Sequence, residues 1–417
     1  MEYICHNMNA YNLHIIKTDK FKTITIDVSF RRKIKREEIT IRNLLKELMV
    51  NSTLNYPTER SLIIQSEKLY DLKLLSSCYR IGNYSILSFK TRFLNEKYTE
   101  EGMNEESIKF LLELIFKPNL TNDVLKCKKK IEKSILSLSD NKIKYALLKL
   151  LETTGDMPYA YNSYGYIEDL KKIQDNDLLK YYDSVINDDI VDIFVVGNVD
   201  DVQIKRIFKE YFKVKTFHKN DLSVIVPELP KSRKVSEYRE NDMVNQTQLT
   251  MLYRLTDITD YERKYVLPIY GELLGGSSNS ILFDTVREKN SYAYYVNAVV
   301  KPYDNVMLIY SGIGNGTEKE VIKLIEKSLV NVSKGKFDKK KLESAKKTFI
   351  SAILSSLDNP VSIINNYYAK VLVGALDLEE KMENIKKVNV DDIICVSKKI
   401  DLNTVFLLEA SNEANKD

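Results

Sequence analysis

Between Thr23 and Phe30 the chain alternates without a break. Thr23, Thr25, Asp27 and Ser29 interleave with Ile24, Ile26, Val28 and Phe30, the period of two that turns one face of a strand toward a core. Residues 39–50 then carry apolar side chains at helical spacing, as do 108–116 and the long stretch 122–151. Residues 190–196 predict an apolar strand. Farther on, 246–253 predicts a strand, 260–274 a helix, 306–313 a strand, 318–332 and 339–357 two helices, and 405–408 a last strand. From Ile281 to Val300 the pattern is a helix running into a strand. Ile281, Leu282, Phe283 and Val286 are apolar, Arg287-Glu288-Lys289 closes the turn, and Val296, Ala298 and Val300 alternate. Strands and helices mixed without strict βαβ order predict an α+β fold of antiparallel sheet plus helices.

The pattern also repeats. Residues 134–141 align with 352–359 at an offset of 218, with five of eight positions identical, and Lys128-Lys129 meets Lys346-Lys347 at the same offset. Asp169-Leu170-Lys171-Lys172-Ile173 resembles Glu383-Asn384-Ile385-Lys386-Lys387-Val388 at nearly that spacing. Repeats of this length are duplicated domains rather than solenoid units. The expected division is an N-terminal domain over 1–215, a linker over 216–236 and a C-terminal domain over 237–417. The linker holds Pro227, Pro230 and a short strand at 224–226.

Composition narrows the class. The 417 residues are 44% hydrophobic and 29% charged, and no apolar run approaches the roughly 20 residues a bilayer requires. A net charge of +4 from 63 basic and 59 acidic residues dictates no anionic partner. The N-terminal residues lack the basic start and apolar core of a signal peptide. Cys5, Cys78, Cys127 and Cys395 form no CxxC pair. A cytoplasmic chain with reduced thiols is expected, with neither membrane nor nucleic acid as partner.

Most chemical motifs are missing. Gly275-Gly276-Ser277-Ser278 and the glycines at 312, 314 and 316 fit no phosphate loop and read as chain reversals. His6, His14 and His218 have no second ligand at helical spacing. There is no G-x-S-x-G elbow, and spacing alone pairs no cysteine with a histidine. The runs Lys128-Lys129-Lys130 and Lys339-Lys340-Lys341 have Glu132, Asp338 and Glu343 beside them and read as solvated helix faces. Tyrosine is abundant at 27 residues, with clusters at Tyr159, Tyr161, Tyr164 and Tyr166 and at Tyr292, Tyr294 and Tyr295. A phenol suits a peptide cleft, while loop packing explains each one taken alone.

An ordered set of segments resembles the pitrilysin/insulinase family of inverted zinc metallopeptidases, which includes the mitochondrial processing peptidases. The set comprises Leu69-Tyr70-Asp71, Tyr164-Gly165-Tyr166, Val195-Val196-Gly197-Asn198-Val199-Asp200, and Leu273 to Phe283 followed by Val286-Arg287-Glu288-Lys289. The resemblance implies two such domains in a clamshell. Family peptidases carry H-x-x-E-H on a first-half helix, two zinc ligands one turn apart and a glutamate that activates water. Residues 41–57 resemble that helix and its downstream Thr53, Asn55, Tyr56 and Pro57. Asn43 and Glu47 stand in the histidine positions, however, and Lys46 in that of the glutamate. An ammonium there repels a dication and cannot serve as a carboxylate base. The third ligand, a glutamate expected within 122–132, has only Glu132 as a candidate. The resemblance thus implies a degenerate motif, no metal on this chain and no catalytic residue of its own.

In two-chain members one subunit holds the zinc. The other supplies an arginine and a tyrosine seven residues apart, which grip the substrate backbone and support the oxyanion. Arg287 and Tyr294 have that spacing. The family's small residues after this arginine are replaced by Asn290-Ser291-Tyr292. The resemblance implies a non-catalytic subunit of a heterodimeric zinc peptidase. It would bind peptide substrate, take a zinc-bearing homologue as partner, and be able to form a homodimer when alone. Within the family, the resemblance is nearest to zinc-less members associated with elongation factor P modification or peptide maturation. Two other readings compete: a catalytically dead peptide-binding or scaffold protein without a protease partner, and a nucleic-acid- or ribosome-associated protein using its lysines.

Overall fold

The structure is a computed structural model that describes residues 1–214, 224, 226, 227, 229, 230, 234–375 and 377–410. Most of the expected linker, including Ile225 of its short strand and His218, lies outside the described residues. The chain forms two compact units. The first takes Met1–Leu136, Asn162–Ser223 and Leu357–Val373, and the second Ser137–Tyr161, Val224–Ser356 and Gly374–Asp417.

The first half of the sequence runs through β1 (Glu2–Asn7), β2 (Asn12–Lys17), β3 (Thr23–Lys33), α1 (Ile39–Met49), α2 (Glu59–Lys68), β4 (Lys73–Ile81) and β5 (Tyr84–Leu94). It continues with α3 (Met103–Phe116), α4 (Val124–Asp140), α5 (Lys142–Glu152), α6 (Ile167–Lys172), α7 (Asp175–Asp188), β6 (Ile190–Gly197) and α8 (Asp201–Tyr211). Six strands form a sheet in the order β1-β2-β6-β3-β5-β4, antiparallel except for the β2–β6 pair. Ile24, Ile26, Val28 and Phe30 face Leu44, Leu45 and Leu48 of α1 and Ile108, Leu111 and Ile115 of α3 in one core. Each such side chain, fully buried, contributes about 1.5–3 kcal/mol before entropy is charged.

The second half has β7 (Ser236–Asp242), β8 (Thr247–Leu255) and a helical stretch in which α9 (Leu267–Gly271) lies between wider π turns. A further π turn, Phe283–Glu288, leads into β9 (Ala293–Lys301) and β10 (Val306–Ile313). Then come α10 (Glu318–Ser333), α11 (Lys339–Ser356), α12 (Pro360–Val373), α13 (Leu378–Lys387), α14 (Val390–Ser397) and β11 (Ile400–Ala410). The sheet order is β7-β11-β8-β10-β9, antiparallel except for β7–β11. The α+β expectation is what the molecule shows, with one parallel pair in each sheet.

The stretch 122–151 is two helices rather than one. Asn141 interrupts it in extended conformation, its side chain accepting from the Lys144 amide at 3.1 Å, an N-cap that opens α5. Asn359 does the same before α12, accepting from the Val361 amide at 2.8 Å. The repeated Asp-Asn pair therefore marks the same joint in each half. At that joint the chain leaves its own half. Ala146, Leu150 and Leu151 of α5 pack with Leu252, Leu308, Phe406 and Leu408 of the second sheet. In the first unit Tyr368 of α12 sets its ring 5.3 Å from Phe194 of β6. Residues 137–161 and 357–373 thus belong with the sheet of the opposite sequence half.

This exchange changes the meaning of β3. Its polar positions Thr25, Asp27, Ser29 and Arg31 are buried, because α12 packs on that face. Three of them pair laterally: Asp27 accepts from Ser29 and Ser88 at 3.0 and 2.7 Å, and Arg31 Nε donates to Asp192 at 3.1 Å.

Candidate functional site

Helix α1 presents the degenerate metal motif. Its buried stripe of Ile39, Leu44, Leu45, Leu48 and Met49 fixes which face meets the core. Arg42 fastens it from the same side, donating to the Phe30 carbonyl at 2.8 Å and to Asp189 at 2.7 Å. Asn43 is 3% exposed, and its amide donates to the Ile39 and Ser163 carbonyls at 3.0 and 2.9 Å. It works as a clasp for the loop that carries Tyr164-Gly165-Tyr166. The Tyr166 amide donates to Thr40 Oγ1 at 2.9 Å, and Arg36 stacks 3.8 Å from the Tyr166 ring.

Lys46 and Glu47 pair with each other at 2.8 Å, and Lys130 of α4 reaches the other Glu47 oxygen at 2.5 Å. Burial raises the Glu47 carboxyl, but Lys130 and Lys46 outweigh it and hold the group below the ordinary carboxylate range. Two ammonium groups thus surround the one carboxylate of the motif. Sequence reasoning missed Lys130, although it sits inside the 122–132 window searched for an acidic ligand. Glu132 is two residues farther on, so helical periodicity turns it away from the face that Lys130 uses. The nearby thiols are no substitute ligands. Burial pushes Cys127 and Cys78 each up to about 11, which keeps them protonated at neutral pH. Among the described residues, no group of three or more His, Cys, Asp or Glu side chains is placed to hold a metal ion.

Arg287 and Tyr294 lie in the second unit, on either side of one turn. Arg287 is in the π turn Phe283–Glu288, with its guanidinium 4.6 Å from the Phe283 ring. Its carbonyl accepts from the Ser291 amide at 2.9 Å, and the Val286 carbonyl from the Tyr292 amide at 3.2 Å. Asn290 closes the turn by donating to the Thr285 carbonyl at 2.7 Å. Asn290-Ser291-Tyr292, which replace the family's small residues, therefore build the reversal themselves. Ser291 absorbs the strain with a φ of 54°.

Tyr294 is the extra residue of a β-bulge. Tyr295 pairs with Gly312 and Ala293 with Ile313, which leaves Tyr294 with no partner across the ladder. The bulge turns its ring outward: Tyr294 is 69% exposed and makes no hydrogen bond to another described residue. It lines a cleft of about 530 Å³ with Lys142, Met243, Val244, Asn245, Gln246 and Gln248. Gly312 makes room for this arrangement, since a Cβ there would come within 2.4 Å of Gln246 and 2.6 Å of Tyr295. Among the described residues, no helix is long and apolar enough to cross a membrane.

The family described as Peptidase M16 inactive domain matches residues 172–349. The chain is 27% identical over 414 residues to the probable inactive metalloprotease YmfF of Bacillus subtilis, covering 96% of each chain. A conserved protein from Enterococcus faecalis V583 superposes with a TM-score of 0.91 at 26% identity, with 98% of this chain and 99% of that one covered. The peptidase M16 inactive domain from Pseudomonas fluorescens shares the fold at a TM-score of 0.79 and 16% identity, over 99% of this chain and 98% of that one. Fold, ordered sequence segments and these relatives agree, and the chain is similar to M16-type peptidases and to the domain of that family described as inactive.

Proposed function

We propose that this M16-like protein is the non-catalytic subunit of a two-chain zinc peptidase. In this reading it binds peptide and lends Arg287 and Tyr294 to a zinc site held by a homologous partner. One observation carries the reading: Tyr294 projects from a bulge into a cleft, unbonded, in a chain whose own motif is closed by lysines. A tyrosine kept for packing would be buried or hydrogen-bonded. The amides of Asn245 and Gln246 beside it can both donate to and accept from an extended peptide backbone.

The test mixes the full chain with a zinc-bearing M16 homologue and follows peptide cleavage. Activity is expected only in the mixture, and Tyr294→Phe is expected to lower kcat by about 10²–10³-fold, the cost of one oxyanion donor. Arg287→Ala is expected to raise KM as well, because a guanidinium fork grips a carbonyl in the ground state too. An unchanged mixture rate in both variants rejects the assigned roles. Peptide retention by the chain alone, with no cleavage in any mixture, would favour a stand-alone peptide-binding protein.

A further inference from the structure

The first unit buries a second polar network, on the sheet face opposite α1. Register sets its membership. Tyr79 of β4, Ile86 of β5 and Arg31 of β3 lie in one row across the sheet, and two residues along β3 Ser29 stands between Ser88 and Asp192. Arg31 is wholly buried, yet only part of its guanidinium is used. Nε donates to Asp192 Oδ2 at 3.1 Å, and Cζ lies 5.2 Å from the centre of the Tyr84 ring. Both terminal nitrogens are buried and have no hydrogen-bond partner among the described residues. The hydroxyls of Tyr79 and, from α12, Tyr368 are buried without a partner on the same face. The Tyr368 ring packs 5.3 Å from Phe194, which is two residues along β6 from Asp192. An unmade hydrogen bond on a buried charged group carries its full desolvation penalty, so a native fold supplies an acceptor there.

We propose that the edge of Arg31 formed by Nη1 and Nη2 is a buried seat for one small monovalent anion of the halide class, covered by α12. The guanidinium edge is planar and carries N–H groups only, so it suits a ligand that accepts and does not donate. A water would have to place two protons of its own, and this edge gives them no acceptor.

The charge on this face agrees with the geometry. Lys90 Nζ is 3.0 Å from Asp27, and His14 shares Asp192 with Arg31, its Nε2 lying 3.5 Å from Oδ1. Burial disfavours charge on His14, but the Asp192 carboxylate leads the groups that raise it to about 9. At neutral pH three cations, Arg31, Lys90 and His14, therefore face two carboxylates, Asp27 and Asp192. A singly charged anion balances that buried excess, whereas a divalent oxyanion would reverse it.

Bromide is the probe, because it substitutes for chloride and scatters anomalously. The full chain, exchanged into sodium gluconate, is melted at pH 7 while sodium bromide replaces gluconate at constant ionic strength. Gluconate is too bulky for a buried seat. The Tm is expected to rise saturably with bromide, by about 2–4 °C once the site is filled. Crystals grown in bromide are expected to show an anomalous peak in contact with the Arg31 terminal nitrogens. Arg31→Lys, which keeps a cation for Asp192 and removes the fork, should abolish the bromide-dependent rise. Identical melts in the two salts, or bromide crystals with no anomalous peak at the fork, overturn the proposal. Both of those measurements use the unmodified chain, so an Arg31→Lys chain that fails to fold leaves the test intact.

Discussion

Lys130 Nζ lies 2.5 Å from Glu47 Oε2, while Lys46 Nζ holds the other oxygen of the same carboxylate at 2.8 Å. Where the resemblance places two zinc ligands and a base, the chain has built an ion cluster whose positive charge comes from side chains. A dication approaching Glu47 would meet two ammonium groups at contact distance, and Coulomb repulsion in a partly buried setting disfavours it by several kcal/mol, on the order of 4 per pair.

The cluster should register in acid stability. Because the Glu47 carboxyl is lowered in the folded chain, its contribution is fully present above the unfolded value of about 4.3 and is lost as pH falls through the folded value. Thermal melts at pH 7 and at about pH 3 should show a smaller acid loss in Glu47→Gln than in the parent chain. Lys130→Ala should cost only about 1 kcal/mol at pH 7, since the Lys130 side chain is largely in solvent. An acid loss in Glu47→Gln equal to that of the parent would show that the pair does not stabilise the fold.

Gly165 should tolerate no side chain. Its φ is +96°, and a Cβ would sit 2.5 Å from Thr40 Oγ1 and 2.7 Å from Thr40 Cα, which is backbone and cannot swing aside. Gly165→Ala is expected to cost more than about 2 kcal/mol, combining left-handed strain with displacement of the loop clasped by Asn43. Gly155→Ala is the control: its φ is +77° with nothing within 4 Å, so the strain of about 1 kcal/mol should appear alone. Denaturant midpoints of the two variants decide the matter, and equal losses would contradict the packing described for Thr40.

The alkaline limb of stability should belong to His14. Its pKa is raised to about 9, so its contribution is complete below the unfolded value of about 6.5 and disappears as pH climbs through about 9. His14→Gln should flatten the stability profile over that window. Asp192→Asn should cost about 3–5 kcal/mol at neutral pH, because it leaves Arg31 buried without its carboxylate. A parent profile that is flat from about pH 6.5 to 9.5 would contradict the raised imidazole.

Arg287→Ala and Tyr294→Phe should leave the melting behaviour nearly untouched, within about 0.5 kcal/mol, because both side chains are exposed and Tyr294 donates no structural hydrogen bond. A large stability loss would assign them to the fold rather than to a peptide site.

Much of this molecule was legible in order of sequence. The strand at Thr23–Phe30, the helices α1, α10 and α11 and the strand β10 follow from periodicity, since local burial writes itself as a period of two or 3.6. The repeated Asp-Asn joints at 140–141 and 358–359 were visible as a duplication. Asn43, Lys46 and Glu47 announced a departure from the metal motif by residue type alone. Lys130 did not, because its meaning depends on which residue of α4 faces α1.

By itself, the sequence determined the element types, the duplication, the altered motif and the seven-residue spacing of Arg287 and Tyr294. Each of these is local or a matter of order along the chain. Only the tertiary structure decided that α5 and α12 exchange sheets, that the polar edge of β3 is buried beneath α12, and that Lys130 closes on Glu47. It alone decided that Tyr3, His14 and Asp192 converge, and that a bulge at Gly312 turns Tyr294 outward. The reason is common to all of them. A side chain's neighbours across a sheet or between helices are set by register and packing, and residues far apart in sequence carry no mark of the partner that burial will give them.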